Sequence, residues 1–139
     1  MGVYGDSFEL ATTSENDIVD VSGEVDRIVK ESGLREGLVC VHVSGSTGSL
    51  TTIEYEPGLL EDLPNALERL APKDLVYQHH LRWQDGNGHS HVRASIMGPS
   101  ITIPFRDRSP VLGTWQQIVF IEMDVKPRRR TIHVELVGE

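Results

Sequence analysis

A chain of 139 residues can close one hydrophobic core of ordinary size and is too short for two, so a single domain over residues 1–139 is expected. Its formal charge of −8 opposes a nucleic-acid backbone, and no stretch approaches the ~20 apolar residues that cross a bilayer, which excludes both as expected partners. One cysteine, Cys40, excludes an intrachain disulfide, and residues 1–13 lack the basic-then-apolar pattern of a secretory leader, so a cytoplasmic protein is expected.

Residues 7–13 and 18–21 read as short strands, the second running into Ser22, a candidate N-cap. Behind it Val25, Ile28, Val29 and Ser32 recur at helical spacing, and Gly33 stands where a left-handed terminal residue is wanted, which predicts a first helix. Residues 37–43 are apolar and rich in β-branched side chains, with Cys40 among them as a core residue. The small-residue string Ser44-Gly45-Ser46-Thr47-Gly48-Ser49 and a second β-like run over 50–55 follow, giving strand, loop, strand. Pro57 then opens a helix in which Leu59, Leu60, Leu63, Leu67 and Leu70 share one face. Pro64 predicts a kink or a division into two short helices, and Pro72 closes the run.

Residues 100–105 alternate, with Ile101, Ile103 and Phe105 on one face. After Gly113, the unbroken apolar run Ile118, Val119, Phe120, Ile121 predicts a central strand covered on both faces. Beyond a turn at Pro127, Ile132, Val134 and Leu136 alternate with His133 and Glu135, and the last two segments predict a hairpin. The expected fold class is α+β: one compact domain of mixed, mainly antiparallel, sandwich-like sheets with two or three flanking helices.

Chemistry is concentrated between Tyr77 and His91. Four of the six histidines, His79, His80, His89 and His91, fall there, with Asp85 and Asn87 between them. On an extended chain His89 and His91 share a face, so an H-x-H pair with a distant His79 can offer three nitrogen ligands to a metal and leave a fourth position open. Neutral imidazoles can equally serve as general acid and base near neutral pH. The competing reading is a hairpin loop, Asp85-Gly86-Asn87-Gly88, flanked by surface histidines.

The 44–49 loop offers hydroxyls, Ser46 and Thr47 among them, and glycines that admit a phosphate, but lacks the lysine and spacing of a P-loop; a plain strand connection competes. Glu54 and Glu56 can hold a cation or a proton, or be solvated carboxylates before a helix. Trp115 beside Gln116 reads as a core or subunit contact, or as a ligand platform with Gln116 reaching from the strand end. Arg128-Arg129-Arg130 reads as a solvated hairpin tip, and His42 and His133 as structural strand residues.

Taken together, residues 37–50, Asp85-Gly86-Asn87-Gly88-His89-Ser90-His91, the segment 98–104, Gly113-Thr114-Trp115-Gln116 and the Arg-rich turn resemble the YjbQ family, whose members are also called secondary thiamine-phosphate synthases. The family's Y-x-H position is matched by His79 and its D-G-N-x-x-x-H string by Asp85, Gly86, Asn87 and His91, and Glu54 and Trp115-Gln116 carry over as well. Two positions depart: Gly45 replaces a histidine and Tyr55 an asparagine.

The resemblance implies a homotrimer and an activity that joins an aminopyrimidine diphosphate to a thiazole phosphate with release of pyrophosphate. The residues then expected to act are His79, Asp85, Asn87, His91 and Glu54 in catalysis. Arg82, Arg93, Ser46, Thr47, Trp115 and Gln116 are expected to bind a small phosphorylated substrate, and His79, His89 and His91 a divalent metal, zinc or magnesium. No organic cofactor is expected. A non-catalytic trimeric ligand- or metal-binding protein and a phosphate-ester hydrolase at the same site are the competing functions.

Overall fold

Ile118, Val119, Phe120 and Ile121 are each fully buried, which a strand achieves only with cover on both faces. A computed structural model describing residues 1–139 shows where that cover comes from. In chain order the strands are β1 (Gly2–Ala11), β2 (Ile18–Asp20), β3 (Gly37–Val43), β4 (Gly48–Ile53), β5 (Ser100–Arg106), β6 (Ser109–Pro110), β7 (Gln117–Glu122) and β8 (Arg129–Gly138). The helices are α1 (Ser22–Glu31), α2 (Pro57–Leu70), α3 (Gln78–Trp83) and α4 (Gly88–Met97). All strand pairings are antiparallel, in a five-stranded sheet of order β1-β8-β3-β5-β6 and a three-stranded sheet of order β2-β7-β4.

The small sheet is the middle layer. Ile118 and Phe120 face the large sheet and pack with Val41, Phe105, Val134 and the buried stripe of α1. Val119 and Ile121 face the other way, onto Leu67 of α2 and Ala94 of α4. One strand thus supplies both cores, each buried aliphatic side chain contributing about 1.5–3 kcal/mol.

Helix α1 buries Val25, Ile28 and Val29, and Gly33 follows it with φ 74°, as its spacing predicts. Ser22 is its first residue rather than its cap; its hydroxyl accepts from the Ile118 N–H at 2.9 Å, tying the helix to β7. Helix α2 runs unbroken through Pro64, and its cap is Glu56, whose carboxylate accepts from the Gly58 and Leu59 N–H groups. The expected leucine face ends at Leu67, because Leu70 is exposed.

Two connections differ from expectation. β7 and β8 form no hairpin: β7 pairs with β2 and β4, β8 with β1 and β3, so the chain crosses between layers at Pro127. Each strand presents apolar residues to the same core from opposite sides, which a shared hairpin would forbid. Asp85-Gly86-Asn87-Gly88 is likewise no hairpin but a helix-to-helix turn: Gln84 (φ 55°) and Gly86 (φ 69°) reverse the chain between α3 and α4. No helix is long and apolar enough to cross a membrane.

Candidate functional site

The reversal after α3 lays it against α4 and brings His79 and His91 face to face, their ring centroids 4.4 Å apart and tilted by 37°. Asp85 Oδ1 lies 3.2 Å from His79 Nδ1, an ion-pair distance, yet the alignment makes no hydrogen bond and that buried nitrogen has no partner. Burial holds the His91 imidazole below the usual histidine range, the neighbouring His79 pushes it the same way, and the carboxylates of Asp124 and Asp85 only partly oppose this. Near neutral pH His91 is therefore a neutral ring with free nitrogen lone-pair capacity.

Asp124 is buried just past the end of β7, close enough to His91 for its charge to act on the ring. Its carboxylate accepts from Arg128 Nε at 2.8 Å, Asn87 Nδ2 at 3.3 Å, Thr47 Oγ1 at 3.2 Å and the Val125 N–H at 2.8 Å. Burial raises the Asp124 pKa, but these donors and the Arg128 charge outweigh it and keep the group ionised below the usual carboxylate range. Asn87 thereby anchors the α3–α4 turn to the central strand. Thr47 continues the network, accepting through its carbonyl and hydroxyl from Arg130, which also forms a buried ion pair with Glu122 across the two sheets.

His80 faces the fold rather than the histidine pair: its Nε2 accepts from the Gly88 N–H at 3.0 Å and its ring packs edge-on to Tyr77. His89 does not join its neighbours. On a helix, residues two apart point about 200° away from each other, so the extended-chain pairing of His89 with His91 fails. His89 is fully buried and bonds Glu15, which in turn holds Lys73 at 3.0 Å.

The expected phosphate arginines are elsewhere. Arg93 is buried, donating to the Ala71 carbonyl at 3.0 Å and pairing with Glu68, so it fastens α2 to α4. Arg82 is exposed, stacked 5.4 Å over Trp83. Glu54, Trp115 and Gln116 sit at the opposite end of the small sheet, since Ile53 pairs with Gln117 whereas Gly48 pairs with Glu122; the six-residue strand between spans about 20 Å. There Trp115 is 72% exposed and Gln116 donates to Thr52 Oγ1. Ser46 is exposed on the β3–β4 loop, next to Thr47.

Sequence reasoning missed Asp124, Glu122, Arg128 and Arg130. Their signal is alternation: Glu122 and Asp124 extend the apolar run at every second position. Arg130 faces inward and is buried, Arg128 turns its guanidinium to Asp124 while staying partly exposed, and Arg129 is the solvated residue the triplet suggested.

A three-layer antiparallel α+β domain with a histidine pair between two helices defines the class. Within it, the chain belongs to the family described as UPF0047 protein YjbQ-like, whose model matches residues 6–139. A UPF0047 protein of Methanothermobacter thermautotrophicus is 37% identical over 100% of this chain and 95% of its own. A YbjQ-like protein of unknown function from Sulfolobus solfataricus has a similar structure, with a TM-score of 0.92 and 32% identity over 99% of each chain. A hypothetical protein of Aeropyrum pernix follows at 0.88 and 34%, covering 98% of this chain and 99% of its own.

These findings overturn thiamine-phosphate synthesis as the function. The matching family and relatives name no such activity, and the solved relative is described as of unknown function. The geometry agrees, because Arg93, Trp115 and Gln116 do not share a cleft with His79 and His91.

Proposed function

We propose that the histidine pair between α3 and α4 binds a divalent transition-metal ion through the imidazoles of His79 and His91. The observation that carries this is the pair itself: two rings from different helices within 4.4 Å, one nitrogen buried without a hydrogen bond and the other ring held neutral. Imidazole nitrogen suits a borderline ion such as zinc, whereas magnesium demands oxygen ligands, so the donor set fits zinc and not magnesium. No group of three His, Cys, Asp or Glu side chains converges. The chain thus offers two imidazoles, with the Asp85 carboxylate beside one of them. When bound, such an ion supplies Lewis acidity and open coordination positions. Asp124 and Asn87 act on the site by holding the turn that sets the spacing of the rings.

The proposal includes a homotrimer, supported by the apolar side chains Leu81, Trp83 and Ile96 that the two site-bearing helices expose. Calorimetric titration with zinc tests the site: saturable binding to the wild-type chain and its loss in His79→Ala is expected, and equal binding by both would remove the assignment. Light scattering of the purified chain should return three times the monomer mass.

A further inference from the structure

The turn from β1 into β2 is pinned to the end of β7: the Asn16 N–H donates to the Glu122 carbonyl at 2.8 Å, and the Glu122 N–H to the Asp17 carbonyl at 2.9 Å. Asn16 takes φ 66°, the left-handed region that asparagine tolerates better than most side chains. Beside this turn a cavity of about 270 Å³ is lined by Asn16, Asp17, Ile18, Tyr55 and Leu60, with no cation among them. The Asp17 carboxylate accepts through Oδ2, from the Thr13 N–H at 3.0 Å and the Thr13 hydroxyl at 3.2 Å, which leaves Oδ1 without a donor and the charge without an ion pair. Asn16 Oδ1 is buried and accepts no hydrogen bond, which costs the folded chain its desolvation. Tyr55, just past β4, donates its hydroxyl to the Ile18 carbonyl at 2.8 Å, so its ring is fixed as a wall and its donor is spent. The two oxygens left without donors are thus both acceptors, one of them charged.

We propose that this cavity binds the ammonium group of a small organic amine, with Asp17 Oδ1 as the counter-charge, Asn16 Oδ1 as a second acceptor, and Tyr55, Ile18 and Leu60 around the alkyl portion. An ammonium is a compact charge whose N–H donors can be divided among single oxygens. A guanidinium fork is matched instead by a carboxylate with both oxygens free, and Asp17 has one committed. A calcium ion takes about six to eight oxygens, far more than this lining offers. The aromatic wall and the two aliphatic side chains suit an organic cation, which is attracted to a ring face and buries its carbon chain. The site shares no residue with the histidine pair, so it goes beyond the metal reading and does not depend on it.

The test titrates the full chain with n-butylammonium chloride, and separately with n-butanol, calcium chloride and a lysine capped at both ends, followed by backbone amide chemical shifts. Saturable n-butylammonium binding in the millimolar range is expected, with shifts confined to residues 13–18, 55 and 60 and no saturable response to n-butanol. The capped lysine presents the same group from a polypeptide, and its weaker binding would place the ligand among free amines. Asp17→Asn keeps an oxygen for the Thr13 donors and removes the charge; it should weaken n-butylammonium binding by about tenfold or more. Asn16→Gly suits the left-handed backbone and deletes the second acceptor, so it should weaken binding by a smaller factor without lowering the melting temperature. Absence of saturable n-butylammonium binding, n-butanol binding as tightly, calcium moving the same amides at lower concentration, tighter binding of the capped lysine, or full affinity retained by Asp17→Asn would overturn the site. Zinc affinity should be unchanged in both variants, so failure here leaves the metal reading as it stands.

Discussion

His89 and His91 stand two residues apart on α4 and have opposite surroundings. His89 is sealed in the interior and hydrogen-bonded to a carboxylate that itself holds a lysine. His91 is stacked on a second imidazole, and burial keeps it neutral. The same division runs through the molecule: the buried charges Arg130, Arg93 and Asp124 all have partners, whereas His79 has only the Asp85 carboxylate beside it, without a hydrogen bond, and the His91 ring has no side-chain hydrogen bond. A buried charge must be paired to be tolerated, so pairing marks the groups that hold the fold; an unpaired polar ring at an opening marks a group available to a ligand.

The largest break in that contrast comes from the paired side. Arg130→Met leaves the Glu122 carboxylate buried without its cation and should cost about 3–5 kcal/mol in urea unfolding. Arg129→Ala, one residue away, removes a solvent-screened pair with Glu9 and should leave the urea unfolding midpoint close to that of the wild type. His89→Ala strips a buried partner from Glu15 and should cost about 1–3 kcal/mol while leaving zinc affinity unchanged. His91→Ala should fall within about 0.5 kcal/mol of the wild type in stability and abolish metal binding.

The smallest effect is electrostatic. Folded His91 takes up its proton less readily than the unfolded chain does, so the unfolded state binds more protons across that range. Its contribution to stability is complete above the ordinary histidine range, near 6.5, and is lost as pH falls through that range toward the lowered folded value. A ring-proton NMR titration should place the His91 midpoint below that of an ordinary histidine. His79→Ala should move it upward, though burial, the larger cause, will keep it from returning fully.

Much of the fold was legible because apolar periodicity reports burial directly: the run over 118–121 announced a strand covered on both faces, and Val25, Ile28 and Val29 announced a helix. Connections were less legible. Pro127 signals a turn but not which sheet the next strand joins, since that depends on long-range pairing. For the candidate site, the clustering of the histidines pointed to the segment from Tyr77 to His91, where His79 and His91 do meet, while Asn87 came in through the family resemblance. His89 misled because Asp85-Gly86-Asn87-Gly88 reads as a hairpin turn, and an H-x-H pair shares a face only in a strand. Glu54, Trp115 and Gln116 looked like neighbours of the histidines because sequence does not say which end of a strand faces which cleft.

Cobalt(II) absorption in the visible range, recorded for the wild type, His89→Ala and His91→Ala at matched concentration, tests the division between the two faces of α4 most directly. The wild type and His89→Ala should develop nitrogen-ligated spectra with similar midpoints, and His91→Ala should develop none. A spectrum that survives in His91→Ala, or that vanishes in a folded His89→Ala, would contradict it.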